Sequence, residues 1–352
     1  MKHLITVLKF MFFLGIGSTI LYFVFRQQDT AYQAQCALDG VASEDCSLLK
    51  KIGNDFSHIN YFWILVVLLC YFVSNISRTM RWLMLIRPMG YDAGFWNALL
   101  AINIGYFANL GLPRMGEVVR AGTLARYEKI PAEKLMGTIV VDRIIDVLSL
   151  LLVIGLAFVL EYKTLWGFLE SSMGKKNGSG TSLLQHPIVQ LLGVGAILFM
   201  VLIVVFRKRI MELGIVKKVI ALAKGFGEGL QSIRNVASPF WLFVHSISIW
   251  LMYFLMAYFC FKAFAPTEHL GAVAALMVFT FGSFGILIPS PGGMGTYHAL
   301  VIAALALYNI NGSDAFSFAN IFFFSVNIFF NITSGVLSLI ALPILNRGQK
   351  EV

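Results

Sequence analysis

The stretch Gly105 to Arg126, "GYFANLGLPRMGEVVRAGTLAR", decides how the rest of the chain is read. It is too apolar for a solvated loop. It is also too rich in glycine, proline and charge to cross a bilayer as a plain helix.

The composition around it points to lipid as the solvent. Of the 352 residues 58% are apolar, 14% aromatic and only 13% charged, against roughly 25% charged in soluble domains. A hydrocarbon core about 30 Å thick takes about 20 apolar residues as a helix. Six runs read as plain spans: Leu4 to Phe25, Tyr61 to Ile76, Ile144 to Leu160, Ile188 to Phe206, Phe240 to Phe264 and Phe316 to Leu345. Two further apolar segments, 95–126 and 270–308, are broken by proline and glycine. The expected fold is all-α, a polytopic helical membrane protein forming one integral membrane domain over residues 1–352. Lys2 and Lys9 give the first run the look of a secretory signal, but "QDTAYQAQC" offers no small-residue cleavage pattern, so an uncleaved first span is expected.

Lys and Arg accumulate in short cytoplasmic loops, which orients the spans. In the loop 26–60, Arg26, Lys50 and Lys51 face Asp29, Asp39, Glu44, Asp45 and Asp55, so that loop reads as extracytoplasmic. The segment 207–236 carries seven basic side chains against Glu212 and Glu228 and reads as cytoplasmic. Its apolar residues recur at helical spacing from Val216 to Ile233, which suits a basic amphipathic helix lying on anionic lipid. Arg347 and Lys350 place the C-terminus inside, so both termini are expected in the cytoplasm of an inner membrane. The net charge of +9 follows the inside loops and fits anionic membrane lipids rather than nucleic acid.

With these ends fixed, parity constrains the broken segments. A full crossing by 95–112 would put Arg114, Arg120, Arg126, Lys129 and Lys134 outside, so 95–126 should enter from the cytoplasm and return. Segment 270–308 must begin and end outside, as a hairpin or as two spans. Residues 61–160 and 238–345 thus become half-repeats inverted in topology, joined through an extracytoplasmic linker at 161–187. "GYFANLGLPRMGE" (Gly105 to Glu117) echoes "GSFGILIPSPGGMGT" (Gly282 to Thr296): each runs Gly-x-Phe, then Pro, then Met-Gly. Inverted repeats with interrupted helices point to a transport site near the midplane. Irregular backbone at that depth survives where protein or a watery cavity satisfies it.

Polar residues converge on the same region. Asn320, Asn327, Asn331, Ser334 and Ser338 fall within about 40° of one line at 100° per residue. Asp142, Asp146 and Ser149 make a shorter stripe. Such residues line cavities or glue helices together. Arg114, Glu117 and Arg120 follow Pro113 at spacings that let Glu117 pair with either arginine. A half-helix opened by Pro113 would add its dipole beside Arg114, an arrangement that suits phosphate. The alternative is that these charges hold the loop at the headgroup level.

Cys36 and Cys46 lie in the extracytoplasmic loop, where an oxidising compartment would pair them, or they stay as two thiols. The six histidines are scattered, and no spacing suggests a metal or another cofactor.

Four stretches in order, "RTMRWLMLIRPMG" (Arg78 to Gly90), "NLGLPRMGEVVRAGTLAR" (Asn109 to Arg126), "VDRIIDVLSLL" (Val141 to Leu151) and "IPSPGGMGTYHA" (Ile288 to Ala299), resemble the lysylphosphatidylglycerol synthase transmembrane family, also called flippase-like. The resemblance covers nearly the whole chain, and Pro-Arg-x-Gly-Glu-x-x-Arg is its most specific part. It implies a polytopic inner-membrane protein with a lipid-translocating or lipid-linked role. Arg81, Pro113, Arg114, Gly116, Glu117, Arg120, Asp142, Arg143, Asp146, Pro291, Gly292, Gly293 and Gly295 match the family's characteristic positions. Asp142 stands where the family usually has Glu, which keeps the carboxylate. Bifunctional members continue into a soluble aminoacyltransferase domain, and this chain stops at Val352.

The leading expectation is a transporter that moves an amphiphile with an anionic or phosphate-bearing headgroup between leaflets. Arg81, Arg114, Glu117, Arg120, Asp142, Arg143, Asp146, Asn327 and Asn331 would bind it. Pro113, Gly116, Pro289, Pro291, Gly292, Gly293 and Gly295 would form the gates. The alternative is a membrane-embedded enzyme, or a subunit partnering a lipid-modifying enzyme, with Asp142, Asp146 and Glu117 as acid, base or metal ligands.

Overall fold

The computed structural model describes residues 2–38, 46–111, 115–162, 236, 238–288 and 293–347. The expected span Ile188 to Phe206, the amphipathic segment 207–236 apart from Val236, and nearly all of the linker 161–187 lie outside them. The described residues are helical, with no strand among them.

In chain order the elements are α1 (Lys2–Leu38), α2 (Leu48–His58), α3 (Tyr61–Ile86), α4 (Phe95–Gly111), α5 (Met115–Glu128) and α6 (Ala132–Leu160), then α7 (Pro239–Ala263), α8 (Ala272–Leu287), α9 (Thr296–Ala306), α10 (Gly312–Phe323) and α11 (Asn331–Leu345). A seven-residue π-helical turn, Phe324–Phe330, joins α10 to α11. Among the described residues, four continuous helical stretches are long and apolar enough to cross a membrane: Tyr61–Met89, Ala132–Leu160, Pro239–Ala263 and Gly312–Leu345. They take up four of the six expected spans, and the chain is a multi-pass helical membrane protein.

Three boundaries differ from the sequence expectation. The first helix runs on to Leu38, so the expected loop 26–60 begins as helix. Thr30 and Gln33 stabilise this extension by donating to the Arg26 carbonyl and to Asp29, each four residues back. The loop continues as α2, started by the Ser47 hydroxyl, which accepts from the Lys50 N–H. The span expected from Ile144 starts twelve residues earlier, at Ala132, because Asp142 and Arg143 break the apolar run without breaking the helix. The span expected from Phe316 is divided by the π turn, which adds backbone between Asn320 and Asn331 and shifts the two ends of the polar stripe out of phase.

α3 and α7 lie antiparallel along each other, and the Asn60 N–H at the head of α3 donates to the Ala263 carbonyl at the foot of α7. Trp63 stacks on Phe259 across this seam with ring centroids 5.4 Å apart. Phe261, Phe318, Phe323 and Val301 extend the same apolar core into α9 and α10. A second core gathers Trp82, Ile86, Ile102, Leu124, Leu135 and Ile139 from α3 to α6.

The two broken segments are both helix hairpins. α4 has 17 residues and α5 has 14, and at 1.5 Å per residue even α4 is only about 25 Å long. Asn97 near the start of α4 donates to Glu128 at the end of α5, which makes the pair antiparallel. Gly105 and Gly116 let the helices touch backbone to backbone: a Cβ on Gly105 would lie 2.8 Å from the Gly116 carbonyl oxygen. α8 and α9 repeat the device, since a Cβ on Gly285 would lie 2.6 Å from the Tyr297 Cα. Thr296 locks that hairpin by donating to the Gly285 carbonyl at 2.6 Å.

Two ties hold the α2 side. Cys36 and Cys46 form a disulfide, both buried. Lys51 on α2 donates to Asp55 at 2.7 Å and to Asp314 on α10 at 2.6 Å. Burial works against the charge of this amine, and hydrogen bonds to Asp314 and Asp55 outweigh burial, leaving its pKa raised.

Adding one methyl group where the hairpin backbones touch should force the helices apart. Gly285→Ala is expected to destabilise the protein by about 1–3 kcal/mol, as overpacking does in tight cores. Gly155→Ala, inside α6 where a Cβ meets nothing within 4 Å, should leave it as stable or more so by up to about 1 kcal/mol. Thermal unfolding in detergent followed by size-exclusion fluorescence compares the two.

Candidate functional site

Between the two cores lies a cluster of charge inside the membrane-spanning helices. Arg78 and Arg81 sit one turn apart on α3, Asp142, Arg143 and Asp146 share a turn of α6, and Glu117 and Arg120 come from the first turns of α5. The spacings of three and four residues put each set on one helix face, and the helices turn those faces toward each other.

Arg81 is fully buried and bridges both aspartates. Its Nε donates to Asp142 Oδ1 at 2.8 Å and its Nη2 to Asp146 Oδ1 at 2.5 Å. Arg78 donates through Nη1 to Asp146 Oδ2 at 2.8 Å and through Nη2 to the Tyr253 hydroxyl at 3.3 Å. Arg120 donates through Nη1 to Asp142 Oδ2 at 3.3 Å, and its guanidinium carbon lies 3.8 Å from the centre of the Trp82 ring. Trp82 is in turn fixed by its indole N–H, which donates to Thr138. Arg143 pairs with Glu117 and approaches Asp146 at 3.6 Å.

The cluster therefore sets four arginines against three carboxylates, a surplus of one positive charge. Buried pairs of this kind recover their desolvation only when geometry and hydrogen bonding are good. Asp142 is wholly buried and accepts hydrogen bonds from two guanidinium groups, Arg81 and Arg120, with Arg78 Nη1 3.5 Å away as a third. The cations are less well supplied: Arg78 Nε and both Nε and Nη2 of Arg120 have no hydrogen-bond partner among the described residues.

Arg78, Arg143 and Asp146 form one wall of a cavity of about 370 Å³. Asn327 and Asn331 line it as well, and so do Tyr71, Tyr106 and Tyr253. Tyr71 donates to the Asn331 side-chain oxygen at 3.0 Å. The remaining walls are mostly apolar, including Val278, Phe279, Ile286 and Leu287 of α8, with Asn109 and Ser283 as polar exceptions. A cavity with a cationic end and an apolar body is the shape of an amphiphile's complement.

The structure brings together six of the nine expected binding residues, Arg81, Glu117, Arg120, Asp142, Arg143 and Asp146, and sets Asn327 and Asn331 among the residues lining the same cavity. Arg114 lies outside the described residues, as do Pro113, Pro289, Pro291 and Gly292. Gly116 is the contact point of the first hairpin. Gly293 and Gly295 take left-handed φ values of 83° and 81° just before α9, a conformation that side chains other than glycine's resist.

Three expectations change. Glu117 pairs with Arg143 on α6, not with Arg120 on its own helix, because Arg120 is turned toward Asp142 and Trp82. Arg81, Arg120 and Asp142 do not line the cavity but stand behind it, fixing the residues that do. Asn320 leaves the expected stripe and donates to the Phe316 carbonyl within its own helix. Sequence reasoning passed over Arg78, although a charge three residues before Arg81 in an apolar run was itself a signal. Tyr71, Tyr106 and Tyr253 carried no such mark. Among the described residues no three His, Cys, Asp or Glu side chains gather as a metal site.

The model of the lysylphosphatidylglycerol synthase transmembrane region matches residues 47–335. The chain belongs to that family. All the helices that build the cluster fall inside the match. A UPF0104 membrane protein of Methanocaldococcus jannaschii is 22% identical over 290 residues, covering 76% of this chain and 81% of that protein. No solved structure matches this family member significantly.

Asp142 is the hub of the cluster, so neutralising it strands three cations. Asp142→Asn is expected to cost about 3–5 kcal/mol, the usual effect of removing one partner from a buried ion pair. Asp142→Glu, which keeps the charge, should recover most of it. Denaturation in mild detergent measures both.

Proposed function

We propose that this protein moves a lipid with an anionic, phosphate-bearing headgroup between the leaflets of a cell's inner membrane. The observation that carries the reading is the uncompensated positive charge of the cluster, where it meets a cavity whose wall away from the arginines is mostly apolar. A phosphate between Arg78 and Arg143 would balance that charge. The Arg143 side chain is 47% exposed, so it can give a guanidinium face to a ligand without breaking the buried pairs behind it. Arginine suits this role because its planar fork meets phosphate oxygens two at a time. The apolar body of the cavity accepts the start of the lipid's chains.

The two hairpins are the moving parts in this reading. They are short, each is closed by a glycine contact, and α4 and α8 both line the cavity. One hairpin opens to the cytoplasm and the other to the opposite side, with both termini in the cytoplasm. Asp142 and Asp146 serve as fixed counter-charges, since their oxygens are taken up by arginine.

Reconstituted into liposomes with a fluorescent phosphatidylglycerol, the protein is expected to expose inner-leaflet label to an external reductant. Arg143→Gln should slow this by about tenfold or more, the order of one charge-assisted contact to phosphate, while folding yield stays level. Equal rates in empty and protein-bearing vesicles would remove the proposal.

Cysteines introduced at Gly111 and Met294, after Cys70 and Cys260 are replaced by alanine, test the hairpin arrangement. Impermeant maleimide should reach the two from opposite sides of the membrane.

A further inference from the structure

The outward side of α6 borders a second space. A groove of about 580 Å³ lies between α6, α7 and α8, walled by side chains such as Leu152, Leu156, Leu251, Phe254 and Val273. Its two serines offer it little: Ser149 donates to the Ile145 carbonyl and Ser246 to the Leu242 carbonyl, each within its own helix. Leu148, Leu152 and Leu251 are exposed, so the groove opens to the surface beside them.

Two residues, Trp250 and Phe279, line both this groove and the cavity at the arginines. Their rings meet edge to face with centroids 5.8 Å apart. The Trp250 indole nitrogen is buried and has no hydrogen-bond partner among the described residues. An indole N–H can only donate, and buried donors are almost always satisfied. Trp250 also packs against Tyr253, whose hydroxyl accepts from Arg78. One aromatic unit thus touches a cationic chamber on one side and a hydrocarbon-like chamber on the other.

We propose that the groove is a tail site: it holds a hydrocarbon chain of the same lipid whose phosphate meets Arg78 and Arg143, and Trp250 donates its indole N–H to an oxygen where headgroup joins chain. This rests on the transport reading and adds to it the side from which the lipid enters, between α6 and α7. The occupant follows from the walls: a chain that must leave an apolar cavity beside Trp250 meets only apolar surface in the groove. The linkage oxygen of a phospholipid lies between phosphate and chain, as Trp250 lies between the arginines and the groove.

The test uses the full-length protein in nanodiscs of phosphatidylglycerol, with the photoreactive residue benzoylphenylalanine replacing Phe254. Irradiation and mass spectrometry are expected to find a lipid adduct at this position, reduced when Val273→Trp fills the groove. Crosslinks to residues 163–235 or to a second copy of the chain, without lipid, would overturn the assignment. Trp250→Phe keeps the aromatic wall and removes the donor. It should weaken binding of long-chain phosphatidylglycerol about tenfold, the order of one hydrogen bond, and leave binding of soluble glycerol 3-phosphate unchanged. Equal loss for both ligands, or for neither, would overturn the role of Trp250. A wild type that fails to bind glycerol 3-phosphate yet gives the Phe254 lipid adduct would sink the phosphate reading while supporting the groove as a tail site.

Discussion

Everything in this fold is arranged around the cost of keeping charge away from water. An arginine or aspartate at the centre of a bilayer is unfavourable by about 3 kcal/mol even on mild scales, and seven charged residues meet here within a bundle of apolar helices. They are tolerable because each of the two aspartates is shared between arginines, while Glu117 pairs with Arg143. Asp142 and Asp146 accept from α3, and Asp142 also accepts from α5. Those bonds require α3, α5 and α6 to keep fixed rotations and heights. The cluster therefore acts as a register pin for half of the molecule, and the cores on either side pack against a geometry that the charges have set.

The hairpins answer a different requirement. A helix too short to span hydrocarbon leaves its ends in protein, where every free carbonyl and N–H needs a partner. The solutions found here are local. The Asn109 side chain accepts from the Gly116 N–H across the first turn, and Thr296 donates to the Gly285 carbonyl across the second. Glycine at the contact brings the two backbones close enough for such short-range bonds. The same pair of devices, a small residue and a side-chain bridge, thus closes two hairpins whose sequences are otherwise only faintly alike.

Much of this was legible in the sequence, for reasons that can be named. Run length marked the four long apolar helices, and Pro and Gly marked both hairpins at their observed places. Apart from Arg78, the arginines and acids of the site stood out because charge is rare in an apolar chain. Partner choice was not legible, since Glu117 and Arg120 are neighbours along one helix yet bond to different groups on α6. Pairing across helices depends on rotation, which a one-dimensional spacing does not contain. The length of α1 and the start of α6 were also hidden, because hydropathy registers where apolar residues stop and helices can continue past that point. The aromatic lining was invisible for the opposite reason: one tyrosine among many aromatic residues carries no distinguishing pattern.

The π turn at Phe324–Phe330 has a geometric corollary. It sits between two anchored ends: Asp314 is held by Lys51, and Asn346 at the far end exchanges hydrogen bonds with Asn97. A wide turn holds surplus chain, as slack does in a rope fixed at both ends. Removing one residue from it would tighten the turn toward α-helix and rotate all that follows by about 100°. Asn331 would then leave Tyr71 and the cavity, although its own sequence neighbours were untouched. The length of this segment, counted in residues, is thus as much a part of the site as any side chain in it.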